Sequence, residues 1–222
     1  MRGFLDIFFK VVSVIGHPIL LPTYFALTVN DVFGLNPFIV GGMTFVFPMI
    51  IILFFFAHNY YKQKMNEESK EGNALTQQEV SEMQGGFAEK YEAFFETTRN
   101  RTKSLFIVLV FSVAGYLHMS DGVMMSFIML LTAISSLVCL LINNFWRISI
   151  HSFGWGFALY ILLFKYPYVF INGFIVSVLA ILAGGLVLSS RLYLGRHNNL
   201  QVHLGFVIGA AVPALFYWAL SW

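Results

Sequence analysis

Charge is scarce in this chain. Asp, Glu, Lys and Arg together make up 11% of its 222 residues, where an average soluble domain carries about 25%, so the chain cannot cover a water-facing surface with its own polar groups. The net charge is only +2, which excludes a nucleic-acid-binding role built on a basic face. A single cysteine, Cys139, lies inside an apolar run and rules out a disulfide framework. No His, Cys or carboxylate set has metal-ligand spacing, so neither a metal nor another cofactor is expected, and no glycine-rich nucleotide loop is present. Internal repeats and low-complexity tracts are missing as well. The amino terminus lacks the small-residue cleavage site of a secretory signal, and its apolar segment reads as retained.

What is abundant is apolar. Hydrophobic residues account for 58% of the chain, with 25 Phe, 10 Tyr and 4 Trp, a composition suited to lipid-facing helices with aromatic residues at the interfaces. Seven hydrophobic segments stand out: Phe9–Val29, Pro37–Ala57, Thr102–Met119, Val123–Ile142, Ile148–Phe164, Tyr168–Leu188 and Asn199–Leu220. Each is near the ~20 residues that cross a ~30 Å hydrocarbon layer as a helix. The expected fold is therefore all-α: one integral-membrane domain over 1–222, a polytopic bundle of about six or seven transmembrane helices. A polar insert at 58–104 separates the second and third spans. Its second half repeats Phe87, Tyr91, Phe94, Phe95 and Thr98 at helical spacing between charged residues, which predicts an amphipathic helix on the membrane plane or on the protein's own surface.

Parity assigns sides. If all seven segments cross, twelve of the thirteen Lys and Arg share the face that holds the amino terminus and residues 58–104; only Lys165 falls on the other. The positive-inside rule makes the crowded face cytoplasmic. Three polar groups converge on that face, each at the start of a span: Arg99 and Arg101, "WRISIHSFG" from Trp146 to Gly154, and "SSRLYLGRHNNLQVHLG" from Ser189 to Gly205. Helix amino termini expose unpaired N–H groups that attract anions, and arginine forks match phosphate oxygens. The alternative is that these arginines simply snorkel to lipid headgroups. His203 falls off the His197 face and reads as structural, as does His17, expected to bond a neighbouring helix from within the first span. His118 lies at the opposite face by parity. Gly205 and Gly209 have the small-xxx-small spacing of close helix packing.

Within these groups the spacing is specific. Ser190 and Arg191 are followed by five residues, His197, three more and Gln201, while Ser149 and His151 flank Ile150. This resembles the type 2 phosphatidic acid phosphatase superfamily, whose third motif reads S-R-x5-H-x3-D and whose second reads P-S-G-H; its first, K-x6-R-P, aligns on Arg101. "GHPILLPTY", Gly16 to Tyr24, looks like the opening of a bacterial branch. The resemblance implies a membrane phosphatase acting on a phospholipid or polyprenyl phosphate. In it His197 is the nucleophile that becomes phosphohistidine, Gln201 orients it, and His151 is the acid and base. Arg191, Arg101, Ser149 and Ser190 hold the phosphate, with Lys103, Arg147 or Arg196 as auxiliary cations. The chain departs from the motifs in several places. Gln201 replaces Asp, and its amide can offer either the oxygen or the NH₂ to the ring. Phe94 stands in place of the lysine, Thr102 and Arg147 in place of prolines, and Ile150 in place of glycine. In serine proteases the analogous Asp-to-Asn change costs ~10⁴ in rate through the wrong tautomer. Those departures keep open a catalytically impaired relative that binds lipid phosphate or a partner protein. A transporter or flippase fits less well, because no Asp, Glu or Arg lies deep in a hydrophobic run.

Overall fold

The structure, a computed structural model, describes residues 2–20, parts of 49–64, 97–118, 123–165 and 173–220. Among these residues every element is helical. In chain order they are α1 (Arg2–Ile15), a 3₁₀ turn (Pro18–Leu20), α2 (Thr98–His118), α3 (Val123–Phe145), α4 (Ile150–Tyr160) running into a wider π turn (Ile161–Lys165), α5 (Gly173–Tyr193) and α6 (Asn199–Leu220). The amphipathic helix expected over 87–96 and most of the second segment, Pro37–Ala57, lie outside the described residues.

Three helices are long and apolar enough to cross a membrane: Ser126–Phe145 in α3, Ile175–Tyr193 in α5 and Asn199–Ala219 in α6, with a shorter apolar helix at Ile150–Leu163. The exteriors agree. Exposed Ile175, Leu179, Leu182 and Leu186 form a stripe down α5, and Leu200, Leu204, Val207 and Leu215 do so on α6. Apolar stripes of that length suit contact with lipid. Two hydroxyls on α2 and α3 are satisfied within their own helix, as suits a membrane interior: Ser112 Oγ–H donates to the Val108 carbonyl at 2.7 Å and Thr132 Oγ1–H to that of Ile128 at 2.8 Å.

The expected six or seven spans are thus not all found among the described residues, for identifiable reasons. Instead of continuing from Phe9 to Val29, α1 stops at Ile15 and the chain turns at Gly16–Leu20. Pro18 has no N–H for the helical ladder and disfavours helical geometry at His17. In α2 the first turns carry Arg99, Arg101 and Lys103, so the apolar stretch from Leu105 to Leu117 rises only about 20 Å at 1.5 Å per residue.

The packing is organised around α4, which lies against α5 and, most extensively, α6, while α2 pairs with α3. Glycine permits the α4–α6 approach. A Cβ on Gly156 would overlap the Phe206 carbonyl, one on Gly209 would overlap the Phe153 carbonyl, and one on Gly205 would meet the Ser149 carbonyl at 2.9 Å. The α2–α3 pair joins through a cluster of Leu105, Cys139, Ile148 and Phe153. At the far end of α3, α4 and α6, Phe127 packs on Tyr217 at 4.8 Å and on Phe216 at 5.6 Å between ring centroids. This aromatic knot lies at the opposite end of the bundle from the polar cluster.

Candidate functional site

The α5–α6 connection is built from two helix caps back to back. Gly195 has φ +64°, the left-handed geometry that glycine adopts at the end of a helix. The Arg196 N–H reaches the Arg191 carbonyl at 3.2 Å and the Gly195 N–H the Leu192 carbonyl at 3.0 Å. These are the two bonds of a Schellman motif, and they stop α5 after Tyr193. Ser190 and Arg191 therefore belong to the last turn of α5 and not, as the hydropathy suggests, to the loop before α6. Hydropathy reads a polar last turn as loop; only the glycine marks the true end. A guanidinium suits that place, where the helix dipole is negative.

Three residues later α6 begins with a capping box. The Gln201 N–H donates to Asn198 Oδ1 at 2.9 Å, and the Asn198 N–H donates to Gln201 Oε1 at 3.1 Å, satisfying two amides that no helix turn can serve. That second bond settles which end of the glutamine faces inward, since a backbone N–H can bond only the amide oxygen. His197 Nδ1 lies 3.2 Å from the same oxygen and must therefore carry the proton. The result is an imidazole of defined tautomer, with its lone pair on Nε2.

The start of α4 is stitched to this turn. Ser149 is its N-cap, with Oγ accepting from the Ser152 N–H at 3.3 Å, and the Ser149 N–H donates to the Gln201 carbonyl at 3.2 Å. Arg101, only 2% exposed, enters from the first turn of α2 and donates Nη2–H to the Ile148 carbonyl at 2.6 Å. His151, two residues after the cap, donates Nε2–H to the Ser13 carbonyl at 3.2 Å, and Arg191 Nη1–H reaches Ser13 Oγ at 2.6 Å.

The cluster forms one electrostatic unit. Arg191, Arg101 and Arg147 all act on His197, and His151 stands within range of Arg191, His17 and His197. Of the sequence candidates, His197, His151, Gln201, Arg191, Arg101 and Ser149 come together, with Arg147 at the exposed rim. Ser190 is buried but spends its hydroxyl on the Val187 carbonyl of its own helix at 2.6 Å. Lys103, two residues beyond Arg101, leaves α2 from a different side, and the backbone N–H of Arg196 closes the Schellman turn. His203 binds the Asn199 carbonyl of its own helix at 2.7 Å.

Two participants are missing from the residues that the sequence assigns to the site. Ser13 is one serine in an amphipathic helix. His17 joins the cluster directly, its ring edge-on to His151 with centroids 4.8 Å apart, because α1 ends early. Among the described residues no group of His, Cys, Asp and Glu is placed to hold a metal ion.

Chemically the arrangement offers a neutral imidazole nitrogen beside guanidinium groups and the amino termini of α4 and α6, a setting for an anion. Arg101, Arg191 and His151 are buried, whereas His197 is half-buried in the turn, so His197 is the approachable member. Burial first, then the Arg191 charge, lowers its pKa from 6.5 to about 4, against the raising effect of the Gln201 hydrogen bond; Arg101 and Arg147 add smaller lowering.

A pH signature follows. Between about 4 and 6.5 the unfolded imidazole holds a proton that the folded one lacks. The stability His197 contributes is therefore full above 6.5 and is lost as pH falls towards 4. Its neutral form likewise persists far below neutrality. A ¹³C or ¹⁵N NMR titration should place the His197 midpoint clearly below 6; a midpoint at or above 6.5 would contradict the packing described. Against known proteins, no family model, curated protein or solved structure matches this chain.

Proposed function

We propose that the chain is a multi-pass membrane phosphatase that hydrolyses a lipid phosphate or diphosphate at the membrane–water boundary through a phosphohistidine. The observation that carries this is the His197 tautomer: Gln201 Oε1, itself fixed by the Asn198 N–H, holds the Nδ1 proton and leaves Nε2 free to attack. The motif spacing shared with the type 2 phosphatidic acid phosphatases supports the same reading.

Nε2 of His197 attacks phosphorus as the bond to the lipid oxygen breaks. The leaving alkoxide takes the proton that the phosphomonoester monoanion brings into the site, relayed through the Nδ1 lone pair of His151, whose Nε2–H stays on the Ser13 carbonyl. Water then attacks phosphorus, Nδ1 of His151 accepts its proton and passes it to a phosphate oxygen, and the N–P bond breaks to give dihydrogen phosphate and two neutral histidines. Arg191 and Arg101 stabilise the charge gathering on the equatorial oxygens.

A second reading, a relative that binds lipid phosphate without turning it over, draws on the way Arg101 and Arg191 are already pinned to Ile148 and Ser13. One assay separates them. The purified chain, with EDTA present, is offered phosphatidic acid, phosphatidylglycerol phosphate and a polyprenyl diphosphate. Release of inorganic phosphate from at least one is expected; binding without release selects the second reading. The weight of Lys and Arg on the site's side of the chain supports a cytoplasmic site. Inside-out vesicles should therefore hydrolyse added substrate directly, and right-side-out vesicles only after permeabilisation. The reverse pattern assigns the opposite face.

A further inference from the structure

Ser13 lies near the end of α1, far in sequence from Arg101, His151 and His197, and is 1% exposed. Its hydroxyl oxygen receives the Arg191 Nη1–H at 2.6 Å across 178 residues of sequence. Three hydroxyls in α2 and α3 behave differently: those of Ser104, Ser112 and Thr132 donate to carbonyls of their own helix four residues back, the ordinary local bond.

The carbonyl of the same residue is also diverted to the site. At a helix carboxyl end the last carbonyls lose their amide partners. Here the Gly16 N–H bonds the Val12 carbonyl and the His17 N–H the Val14 carbonyl, so the Ser13 carbonyl is left for His151 Nε2–H at 3.2 Å. The end of α1 is held in place on both flanks: Trp155 Nε1–H donates to the Gly16 carbonyl at 3.0 Å, and any Cβ on Gly16 would overlap Val187 of α5.

We infer that Ser13 is the positioning residue of the anion site, aiming the Arg191 fork through its hydroxyl and fixing the His151 tautomer through its carbonyl; the inference rests on the phosphate reading of the cluster. A guanidinium has five donors in one plane, so anchoring one Nη orients the rest. The His151 bond leaves the lone pair on Nδ1, the atom that exchanges protons with substrate and water. The short helix α1 is thereby part of the site.

The test is calorimetric binding of inorganic phosphate to the full chain in detergent, with melting temperature recorded alongside. Ser13→Ala, which removes the acceptor of a charged donor, should weaken phosphate binding about tenfold and lower the melting temperature, because the buried guanidinium loses a partner. In an Arg191→Ala background it should weaken binding no further, because the two act as one unit. The isosteric pair Ser13→Thr and Ser13→Val differ only in the acceptor oxygen and keep the readout if alanine fails to fold; threonine should bind more tightly than valine. Equal binding by wild type and Ser13→Ala, additive losses with Arg191→Ala, or equal threonine and valine variants would overturn the role of Ser13 while leaving the phosphate site standing. A wild-type chain that binds no phosphate would overturn both.

Discussion

Replacing His197 by alanine should lower phosphate release by about 10⁴-fold or more while leaving the protein folded. The size of the loss follows from the proposed role of nucleophile. A nucleophile that forms a covalent intermediate has no substitute within its own site, and removing one from a hydrolase leaves only the residual catalysis of binding and charge stabilisation. The survival of the fold follows from the turn. Asn198 and Gln201 cap α6 through each other's backbone amides, and neither bond passes through the imidazole. Gly195 ends α5 independently. The stability change should therefore stay within about 1 kcal/mol. Gln201→Ala makes the contrast: it removes the acceptor for Nδ1 and half of the capping box, so it should cost both rate and about 1 kcal/mol of stability. Phosphate release from a lipid phosphate, measured with thermal unfolding on the same preparations, separates the two. Unimpaired release by His197→Ala would end the phosphohistidine mechanism.

Part of this site can be read from the sequence because its parts are local. Asn198, Gln201 and His197 lie within one helical turn, and three-residue and four-residue spacing places them together whatever the rest of the chain does. Ser149 announces the start of α4 in the same way, and Gly205 and Gly209 announce a close helix contact. The hidden part is non-local. Nothing near Ser13 points to Arg191, and His17 meets His151 only because Pro18 breaks a helix that hydropathy alone would continue to Val29. Helix ends proved harder than helix existence: the polar last turn of α5 resembles a loop in composition, while α2 looks like a full span until its three cations are counted against its apolar length. Hydropathy measures the cost of burying a segment in lipid. It does not record which polar atoms are already satisfied inside the protein, and those bonds decide where α1 and α5 end.

The largest stability effect is expected at an uncharged position, Gly209. A side chain there would begin inside the Phe153 carbonyl, and a backbone atom in α4 cannot rotate away as a flexible side chain can. Gly209→Val should force α4 and α6 apart and cost on the order of 3 kcal/mol or more, at the upper end of overpacking penalties. The damage should not stay local. With only 11 α-helical residues, α4 gains its place chiefly from α6; parting the two also strains the Ser149 N–H bond to the Gln201 carbonyl and carries His151 away from His197. Phosphate release and melting temperature should therefore fall together, unlike the His197 variant, where only release falls. Gly185 on α5 is the control, because a Cβ there meets nothing within 4 Å. Gly185→Ala should be neutral or slightly stabilising, since alanine is the better helix former by about 1 kcal/mol. If Gly209→Val melted with the wild type, α4 and α6 would not touch as described, and the packing that brings the two histidines together would have to be abandoned with them.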